Sequence, residues 1–229
     1  MPVTLITGGA NGIGLETAKQ LVALGHTVFI GDRDTKQGLR AEATVGARFI
    51  PLDVTDDASV QRAITHVGST EGRLDVLVNN AGIHGGGVID GPTALKVFDT
   101  NAIGWVRVTE AALPLLRESS SPVVVTVSSS AGSFWAVTNP SRPEYGLFLP
   151  LYSASKSAIT MLTVQYAKAY PGIKFNAVEP GTTATGMTAS LRIEGRPAEE
   201  SAKVVVRLAT LGPEGPTATL QDDDGAIPW

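Results

Sequence analysis

The sequence predicts an α/β protein built on a doubly wound parallel sheet with helices on both faces. Short, apolar, β-branched runs alternate with longer amphipathic stretches along the whole chain, which is the pattern of repeated strand–helix units. Runs such as Val123–Val127 show no polar alternation, which is typical of a strand buried on both faces. Such strands are parallel and are joined by right-handed crossovers through the helices.

Each element is predicted from its length and its pattern of apolar residues. The predicted strands are Val3–Thr7, Thr27–Gly31, Ala47–Leu52, Val76–Asn79, Val123–Ser128, Lys174–Glu179 and a short one near Thr219–Gln221. The predicted helices are Gly12–Leu24, Thr35–Val45, Asp56–Ser69, Gly91–Leu116, Tyr152–Tyr170 and Ala198–Leu211, and Asp56 is a predicted N-cap. The predicted loops, Gly132–Leu151 and Thr182–Pro197, both leave carboxyl ends of strands, where such sheets bind ligands.

Composition limits the class of protein further. Of the 229 residues 43% are hydrophobic and 17% charged, which is enough apolar material for a sizeable core. We find no linker, repeat or low-complexity tract and predict a single domain over residues 1–229. The net charge of −4 argues against nucleic acid or a membrane surface as partner. The lack of cysteine and of a signal peptide favours a cytoplasmic protein.

A glycine-rich loop, Thr7–Gly14, lies between the first strand and the first helix. Gly8 permits a sharp turn, Gly12 lets the backbone approach a pyrophosphate, and Gly14 lets the helix pack close to the sheet. The N-terminus of the helix then faces the phosphates. The position of this loop predicts a dinucleotide site, and Asn11 and Ile13 are expected contacts within it.

Asp32, at the end of the second strand, bears on which dinucleotide binds. An acid there accepts hydrogen bonds from the adenosine ribose and repels a 2′-phosphate, although Asp32 also suits the start of a turn. Arg33 beside it is able to pair with a 2′-phosphate. We predict NAD(H) as the preferred cofactor and keep NADP(H) as the alternative. Asp53 and Val54 follow the third strand, where they either contact the adenine or begin the next helix.

Tyr152 and Lys156 are four residues apart, one turn apart on the same face of a predicted helix. A free phenol has a pKa of about 10 and is a reluctant base at neutral pH. A nearby ammonium favours the phenolate, so we expect Lys156 to lower the pKa of Tyr152. Proton transfer beside a nicotinamide predicts interconversion of a carbonyl and an alcohol.

Together these motifs resemble the short-chain dehydrogenase/reductase family over nearly the whole chain. Further marks of the resemblance are Asn79–Gly82 after the fourth strand, Asn101 in the long helix, a serine after the fifth strand and Pro180–Gly181 after the sixth. The resemblance implies a Rossmann-type sheet of about seven strands in the order 3-2-1-4-5-6-7. It also implies an NAD(P)-dependent oxidoreductase that interconverts a ketone or aldehyde and an alcohol by hydride transfer.

The resemblance also implies a role for each matching residue. Tyr152 would be the acid/base, Lys156 would bind the nicotinamide ribose, and Asn101 would hold a water in a proton relay. Among Ser128–Ser130, alignment with the family's serine motif selects Ser129 to bind the substrate oxygen. The expected remaining cofactor contacts are Asn79, Ala81, Gly82, Pro180, Gly181, Thr183 and Thr185.

The segment between Ser129 and Tyr152 is longer than is common in the family. Carbonyl-reductase-like members also have a long segment here, and the sequence resembles those members overall. Those relatives usually favour NADPH, with a neutral residue in place of Asp32 and a basic one in place of Asn11, so this chain's departures favour NAD(H). The insertion leaves the family's tetramer in doubt, and we expect a dimer or tetramer, with a monomer as the alternative.

The apolar side chains of this segment are Phe134, Trp135, Phe148, Leu149 and Leu151. They either pack into the core or form a wall for an apolar substrate, and we expect Phe134 and Trp135 to contact that substrate. Two other functions stay open on the same evidence: a redox-silent nucleotide-binding regulator and a methyltransferase, neither of which needs the tyrosine–lysine pair. Three scattered histidines and no cysteine predict no metal site.

Overall fold

The computed structural model describes residues 1–190 and 194–229. Within them the strands form one sheet in the order β3-β2-β1-β4-β5-β6-β7-β8, of which the first seven are parallel and β8 is antiparallel to β7. The predicted doubly wound sheet and its strand order are therefore confirmed, with β8 as an addition. The strands are β1 Val3–Thr7, β2 Thr27–Asp32, β3 Arg48–Pro51, β4 Val76–Asn79, β5 Val123–Val127, β6 Lys174–Val178, β7 Thr219–Gln221 and β8 Ala226–Ile227.

The helices cover both faces of this sheet. They are α1 Gly12–Ala23, α2 Thr35–Val45, α3 Asp57–Glu71, α4 Gly91–Phe98, α5 Gly104–Arg117, α6 Phe134–Thr138, α7 Pro150–Ala169, α8 Gly186–Ser190 and α9 Ala198–Ala209. The Asp56 carboxylate accepts a hydrogen bond from the Ala58 N–H at 3.0 Å and caps α3, as predicted. A π turn, Asp99–Ile103, joins α4 to α5 as one continuous helix. No helix of the described residues is both long and apolar enough to cross a bilayer.

The predicted loops contain more regular structure than expected. Gly132–Leu151 holds α6, which begins where the Ser133 hydroxyl accepts a hydrogen bond from the Ala136 N–H at 3.1 Å. Thr182–Pro197 holds α8, and its residues 191–193 lie outside the described part of the chain. Short caps and turns of this kind depend on single side chains rather than on a repeating apolar pattern, which is why periodicity does not predict them.

Two apolar clusters fix the sheet between its helical layers. One face packs against α3, α5 and α7 around Leu77, Leu116 and Phe175. The other packs against α1 and α9, where Leu21 and Leu208 are fully buried. Because both faces are covered, the edge at the carboxyl ends of the strands is where loops gather polar side chains.

The opposite edge is held by Asp75, which directly precedes β4. Its side chain is 15% exposed and accepts hydrogen bonds from the Val3 N–H at 2.7 Å and the Ser119 hydroxyl at 2.6 Å. Burial raises the pKa of this carboxyl, but the bonds from Ser119 and Val3 and the charge of Arg73 outweigh it and hold the pKa below 3.8. The ionised carboxylate therefore stabilises the fold.

We predict that Asp75→Asn lowers the free energy of unfolding by about 1–3 kcal/mol, because a buried donor loses its charged acceptor. Urea unfolding at pH 7 measures this, with the exposed Glu214→Gln as control. Since the folded pKa lies below the unfolded value of 3.8, the stabilisation is present above pH 3.8 and is lost as the pH falls through the folded pKa. Equal stability of variant and wild type at pH 7 would contradict this account of Asp75.

Candidate active site

The predicted site residues meet at the carboxyl ends of the central strands. The strand order reverses direction between β1 and β4, and ligands bind in the crevice at such a switch point. The glycine loop follows β1, Asn79–Gly82 ends and follows β4, and the serines follow β5. Helix α7 carries Tyr152 and Lys156 to the same edge.

Ser129 is the serine that reaches Tyr152. Its hydroxyl acts on the Tyr152 phenol, whose pKa it lowers, and it accepts a hydrogen bond from the Ala131 N–H at 3.2 Å. The two neighbouring serines are engaged elsewhere, since Ser128 bonds the Thr160 hydroxyl at 2.8 Å and Ser130 donates to Glu144 at 2.6 Å. The register at the end of β5 therefore directs one serine of the three toward the tyrosine.

Lys156 is 4% exposed and lies beneath the tyrosine ring. Its ammonium donates a hydrogen bond to the Val127 carbonyl at 2.7 Å and lies 5.4 Å from the centroid of the Tyr152 ring. A Cβ at Gly82 would lie 3.6 Å from the same nitrogen. The ammonium is thus held between the end of β5 and the segment that follows β4.

Burial has the largest effect on the protonation of this pair. Burial raises the pKa of Tyr152 above 10.0, and the Glu179 carboxylate raises it further, whereas the Ser129 hydroxyl lowers it. Burial therefore outweighs the other influences on this phenol, and the expected lowering of its pKa by Lys156 stays a prediction. Burial also lowers the pKa of Lys156 to about 8, with Glu179 opposing it.

Asn101 lies in the π turn and connects two parts of the site. Its Oδ1 accepts from the Ile83 N–H at 2.8 Å, and its Nδ2 donates to the Ile83 carbonyl at 2.8 Å and to the Ser155 hydroxyl at 2.9 Å. Ser155 in turn donates to the Tyr152 carbonyl at 2.7 Å. The side chain of Asn101 is thus occupied by protein partners, and its role in holding a water stays a prediction. Such π turns often occur at functional sites.

The glycine loop has the geometry of a phosphate cradle. Gly8 and Gly12 have positive φ angles of 63° and 53°, which side chains rarely adopt. A Cβ at Gly14 would lie 2.4 Å from the Gly8 carbonyl oxygen, so only glycine allows α1 to start so close to β1. The N-terminus of α1, with Asn11 as N-cap, therefore lies at the switch point, where its N–H groups fit an anionic dinucleotide. Ile13 packs against the core beneath.

The side chains after β2 and β3 are partly committed to local turns. The Asp32 carboxylate accepts from the Asp34 N–H at 3.0 Å, and Arg33 beside it is exposed. Asp53 accepts from both the N–H and the hydroxyl of Thr55, at 2.9 and 2.7 Å, which favours its alternative role at the start of α3. Val54 is buried against Gly104.

The segment after β6 is folded back on itself. Gly181 has a positive φ of 73°, and the buried Thr183 hydroxyl donates to the Gly181 carbonyl at 2.8 Å. Arg196 donates two hydrogen bonds to the Pro180 carbonyl, at 2.7 and 3.0 Å. Thr185 lies over the glycine loop, because a Cβ at Gly12 would be 3.1 Å from its Cγ2. The segments expected to hold the two ends of the cofactor therefore face each other.

Sequence reasoning missed two carboxylates at this edge. Glu179 accepts hydrogen bonds from the N–H groups of Ser130 and Gly181. Glu144 is 7% exposed and pairs with Arg142 through two bonds of 3.0 Å. An acid directly before a Pro-Gly pair and an acid two residues after an arginine were the only signals in the sequence.

Aromatic side chains of the segment between Ser129 and Tyr152 are exposed rather than packed in the core. Phe134 is 73% exposed, Trp135 39% and Phe148 79%, whereas Leu149 and Leu151 are half-buried. Arg142 lies 5.5 Å from the centroid of the Trp135 ring. The core-packing alternative is therefore wrong for Phe134 and Phe148.

Gly132 allows α7 to approach the serine segment. A Cβ there would lie 2.7 Å from the Lys156 backbone carbon and 2.8 Å from the Ser157 nitrogen. The Ser157 hydroxyl donates to the Gly132 carbonyl at 2.8 Å, which fixes the contact. The distance between Ser129 and Tyr152 depends on this contact, because it sets how near the helix lies to the end of β5.

The parallel sheet, the glycine loop at its switch point and the tyrosine–lysine pair define a Rossmann-type nucleotide-binding α/β protein. The family model described as short chain dehydrogenase matches residues 2–195. The chain therefore belongs to the short-chain dehydrogenase/reductase family of oxidoreductases.

Known proteins resemble this chain over almost its full length. A short-chain dehydrogenase/reductase of Stachybotrys chlorohalonatus is 34% identical, and the match covers 99% of this chain and 94% of that protein. The solved structure of salutaridine reductase from Papaver somniferum has a TM-score of 0.85 at 27% identity and covers 96% of this chain and 99% of its own. A variant of actinorhodin polyketide ketoreductase solved with NADPH has a TM-score of 0.84 at 29% identity and covers 97% and 95%.

We predict that Gly132→Ala lowers both activity and the free energy of unfolding, the latter by about 1–3 kcal/mol, because the methyl group meets backbone atoms that cannot yield. Gly146→Ala, in the same segment, is the matched control, since a Cβ there meets nothing within 4 Å. Steady-state kinetics and urea unfolding measure the two effects. A Gly132→Ala variant that equals Gly146→Ala in both would show that α7 is not held at this contact.

Proposed function

We propose that the protein is an NAD(P)-dependent oxidoreductase that interconverts a ketone or aldehyde and an alcohol by hydride transfer, with Tyr152 as acid/base. The observation that carries this proposal is the convergence of three side chains at the switch point of the sheet: Tyr152 lies over the Lys156 ammonium, and the Ser129 hydroxyl acts on its phenol. Two hydroxyls that meet there are able to share one substrate oxygen. The bound nicotinamide would supply the hydride chemistry.

Each side chain then has a defined task. The Tyr152 phenol stays protonated at neutral pH because its pKa is raised, so in reduction it donates a proton to the substrate oxygen. The Ser129 hydroxyl stabilises the charge that develops on that oxygen. Lys156 is mostly charged at pH 7, since its pKa is about 8, and its charge offsets that of the phenolate. In oxidation the phenolate accepts the proton of the alcohol.

The exposed aromatic side chains support an apolar substrate. Phe134, Trp135 and Phe148 lie in the segment between the catalytic serine and tyrosine, where they present apolar surface to the solvent. A ketone with an apolar body would cover this surface, and the hydrophobic effect would contribute about 25 cal/mol per Å² of apolar area removed from water. The names of two similar structures, a salutaridine reductase and a polyketide ketoreductase, favour reduction of a carbonyl group.

We predict that Tyr152→Phe lowers turnover by about 10²–10⁴-fold, because general acid catalysis is lost, while NADH binding changes little. NADH oxidation with a panel of apolar ketones and a small charged keto acid measures turnover, and NADH fluorescence measures binding. Tyr145→Phe is the control, because Tyr145 is 58% exposed on the same segment.

A Tyr152→Phe variant that turns over at the wild-type rate would refute the acid/base role. A wild-type protein that binds NADH but reduces no member of the panel would favour the redox-silent regulator. Preference for the charged keto acid would contradict the apolar substrate.

We also propose that NAD(H) is preferred over NADP(H). Asp32 stands at the end of β2 with its carboxylate held toward the following turn by the Asp34 N–H. A negative charge at this position would repel a 2′-phosphate. Arg33 is the nearest cation in sequence, but it is exposed and acts on Asp53.

We predict that Asp32→Ala raises the efficiency ratio of NADPH to NADH by about tenfold or more, because juxtaposed like charges cost several kcal/mol. Paired kinetics with the two cofactors measure the ratio. Asp34→Ala is the matched control, because it removes a neighbouring carboxylate that caps α2. That carboxylate accepts hydrogen bonds from the N–H groups of Lys36 and Gln37. Asp34→Ala should lower stability and leave the ratio unchanged, and equal ratios in both variants would refute the role of Asp32.

A further inference from the structure

Glu179 joins two segments of the candidate active site through backbone hydrogen bonds. It follows the last residue of β6, and its side chain is half-buried. One carboxylate oxygen accepts from the Ser130 N–H, next to Ser129, and the other accepts from the Gly181 N–H at 2.6 Å. Its own N–H donates to the Gln221 carbonyl of β7 at 2.8 Å. One carboxylate therefore sets the separation of the segments after β5 and β6.

Several charged groups face this carboxylate. Helix α7 brings Lys156 and the ionisable Tyr152, on both of which the charge of Glu179 acts. The segment before α7 brings Arg142, which also senses Glu179 but is paired with Glu144. Among the described residues no cation lies within ion-pair distance of Glu179, so no direct partner cancels its charge.

The remaining neighbours of Glu179 are already paired. Arg196 contacts the next residue through the Pro180 carbonyl but forms its ion pair with Asp223. Glu144 also contacts Ser130, because its carboxylate accepts a hydrogen bond from the Ser130 hydroxyl at 2.6 Å. The two carboxylates thus hold the same residue, one through its backbone and one through its side chain.

We propose that Glu179 is a positioning residue for the reaction: it fixes the turn that carries Ser129 against Pro180–Gly181 and supplies the negative charge that faces Lys156. This inference rests on the proposed carbonyl chemistry for its consequence in catalysis. The contacts join residues of the protein itself, so they are open to measurements that need no turnover.

The physical reason is the burial of Lys156. Loss of water disfavours the ammonium and brings its pKa down to about 8, against the opposing effect of Glu179. Without that anion the pKa falls further, and a neutral amine is then present at pH 7. A neutral amine cannot offset the charge of a Tyr152 phenolate, so the variant loses activity progressively as the pH rises.

The test is Glu179→Gln, which keeps the shape of the side chain and removes its charge. NMR titration of ¹³C-labelled lysine side chains follows Lys156, whose signal is assigned by its absence in Lys156→Met. We expect the midpoint to fall by about half to one pH unit, as for loss of a nearby opposite charge. Amide exchange at Ser130 and Gly181 should be faster. Glu144→Gln also alters a contact to Ser130 and should leave the Lys156 midpoint unchanged.

Kinetics separate the charge from a merely structural role. In Glu179→Gln the ratio of its kcat to that of the wild type should fall between pH 6 and pH 8. Glu179→Asp keeps the charge and should restore the wild-type midpoint of Lys156 and its pH profile. Thermal unfolding of each variant checks that it is folded.

An unchanged Lys156 midpoint in Glu179→Gln would overturn the proposal. A loss of activity that does not depend on pH and is the same in Glu179→Gln and Glu179→Asp would also overturn it. Failure of the proposed function is recognised separately, because the wild-type protein would then show no carbonyl turnover with NADH or NADPH. In that case Glu179 has no role in this reaction. The titration of Lys156 then decides whether Glu179 supplies the charge that faces Lys156.

Discussion

The close approach of α7 to the carboxyl end of β5 is the constraint on which the site depends. Gly132 leaves room for the backbone of Lys156, and the Lys156 ammonium reaches the Val127 carbonyl at 2.7 Å. A helix displaced by the width of a methyl group would lose that bond and would move Tyr152 relative to Ser129. Interiors transmit such displacements because they are close-packed. The glycine after the serines therefore matters to the chemistry although it has no reactive group.

A buried polar network makes this approach stable. The side of α7 that faces the sheet carries hydroxyls as well as apolar groups, and Thr163 donates to the Thr126 hydroxyl of β5 at 3.0 Å. Trp105 of α5 donates to the same hydroxyl at 2.9 Å. An unpaired buried donor or acceptor costs about 1–3 kcal/mol. The elements α5, α7 and β5 therefore keep the arrangement in which these groups are paired. A satisfied network of this kind holds the helix more specifically than apolar contacts alone.

Sequence reasoning predicts the parts of this structure that follow from repeating patterns. The seven parallel strands, their order and the bounds of most helices follow from apolar runs and a family resemblance, with differences of one or two residues at the ends. It does not predict α6 or β8, because distant contacts hold these elements: the Ser133 hydroxyl donates to the Pro228 carbonyl, and the Trp135 N–H donates to the Trp229 carbonyl. It finds the tyrosine, the lysine and the serine by motif, and misses Glu179 because one acid before a Pro-Gly pair carries no periodic signal.

Spacing along a helix predicts that Tyr152 and Lys156 are close, but not which of them carries a proton. Burial favours the neutral form of both groups, so it raises the pKa of the phenol and lowers that of the ammonium. The Glu179 carboxylate adds to the first effect and opposes the second. At pH 7 the pair is therefore a neutral phenol above a charged amine. For the proposed reaction this is the state that donates a proton to a carbonyl oxygen, whereas alcohol oxidation must first form a phenolate beside an anion.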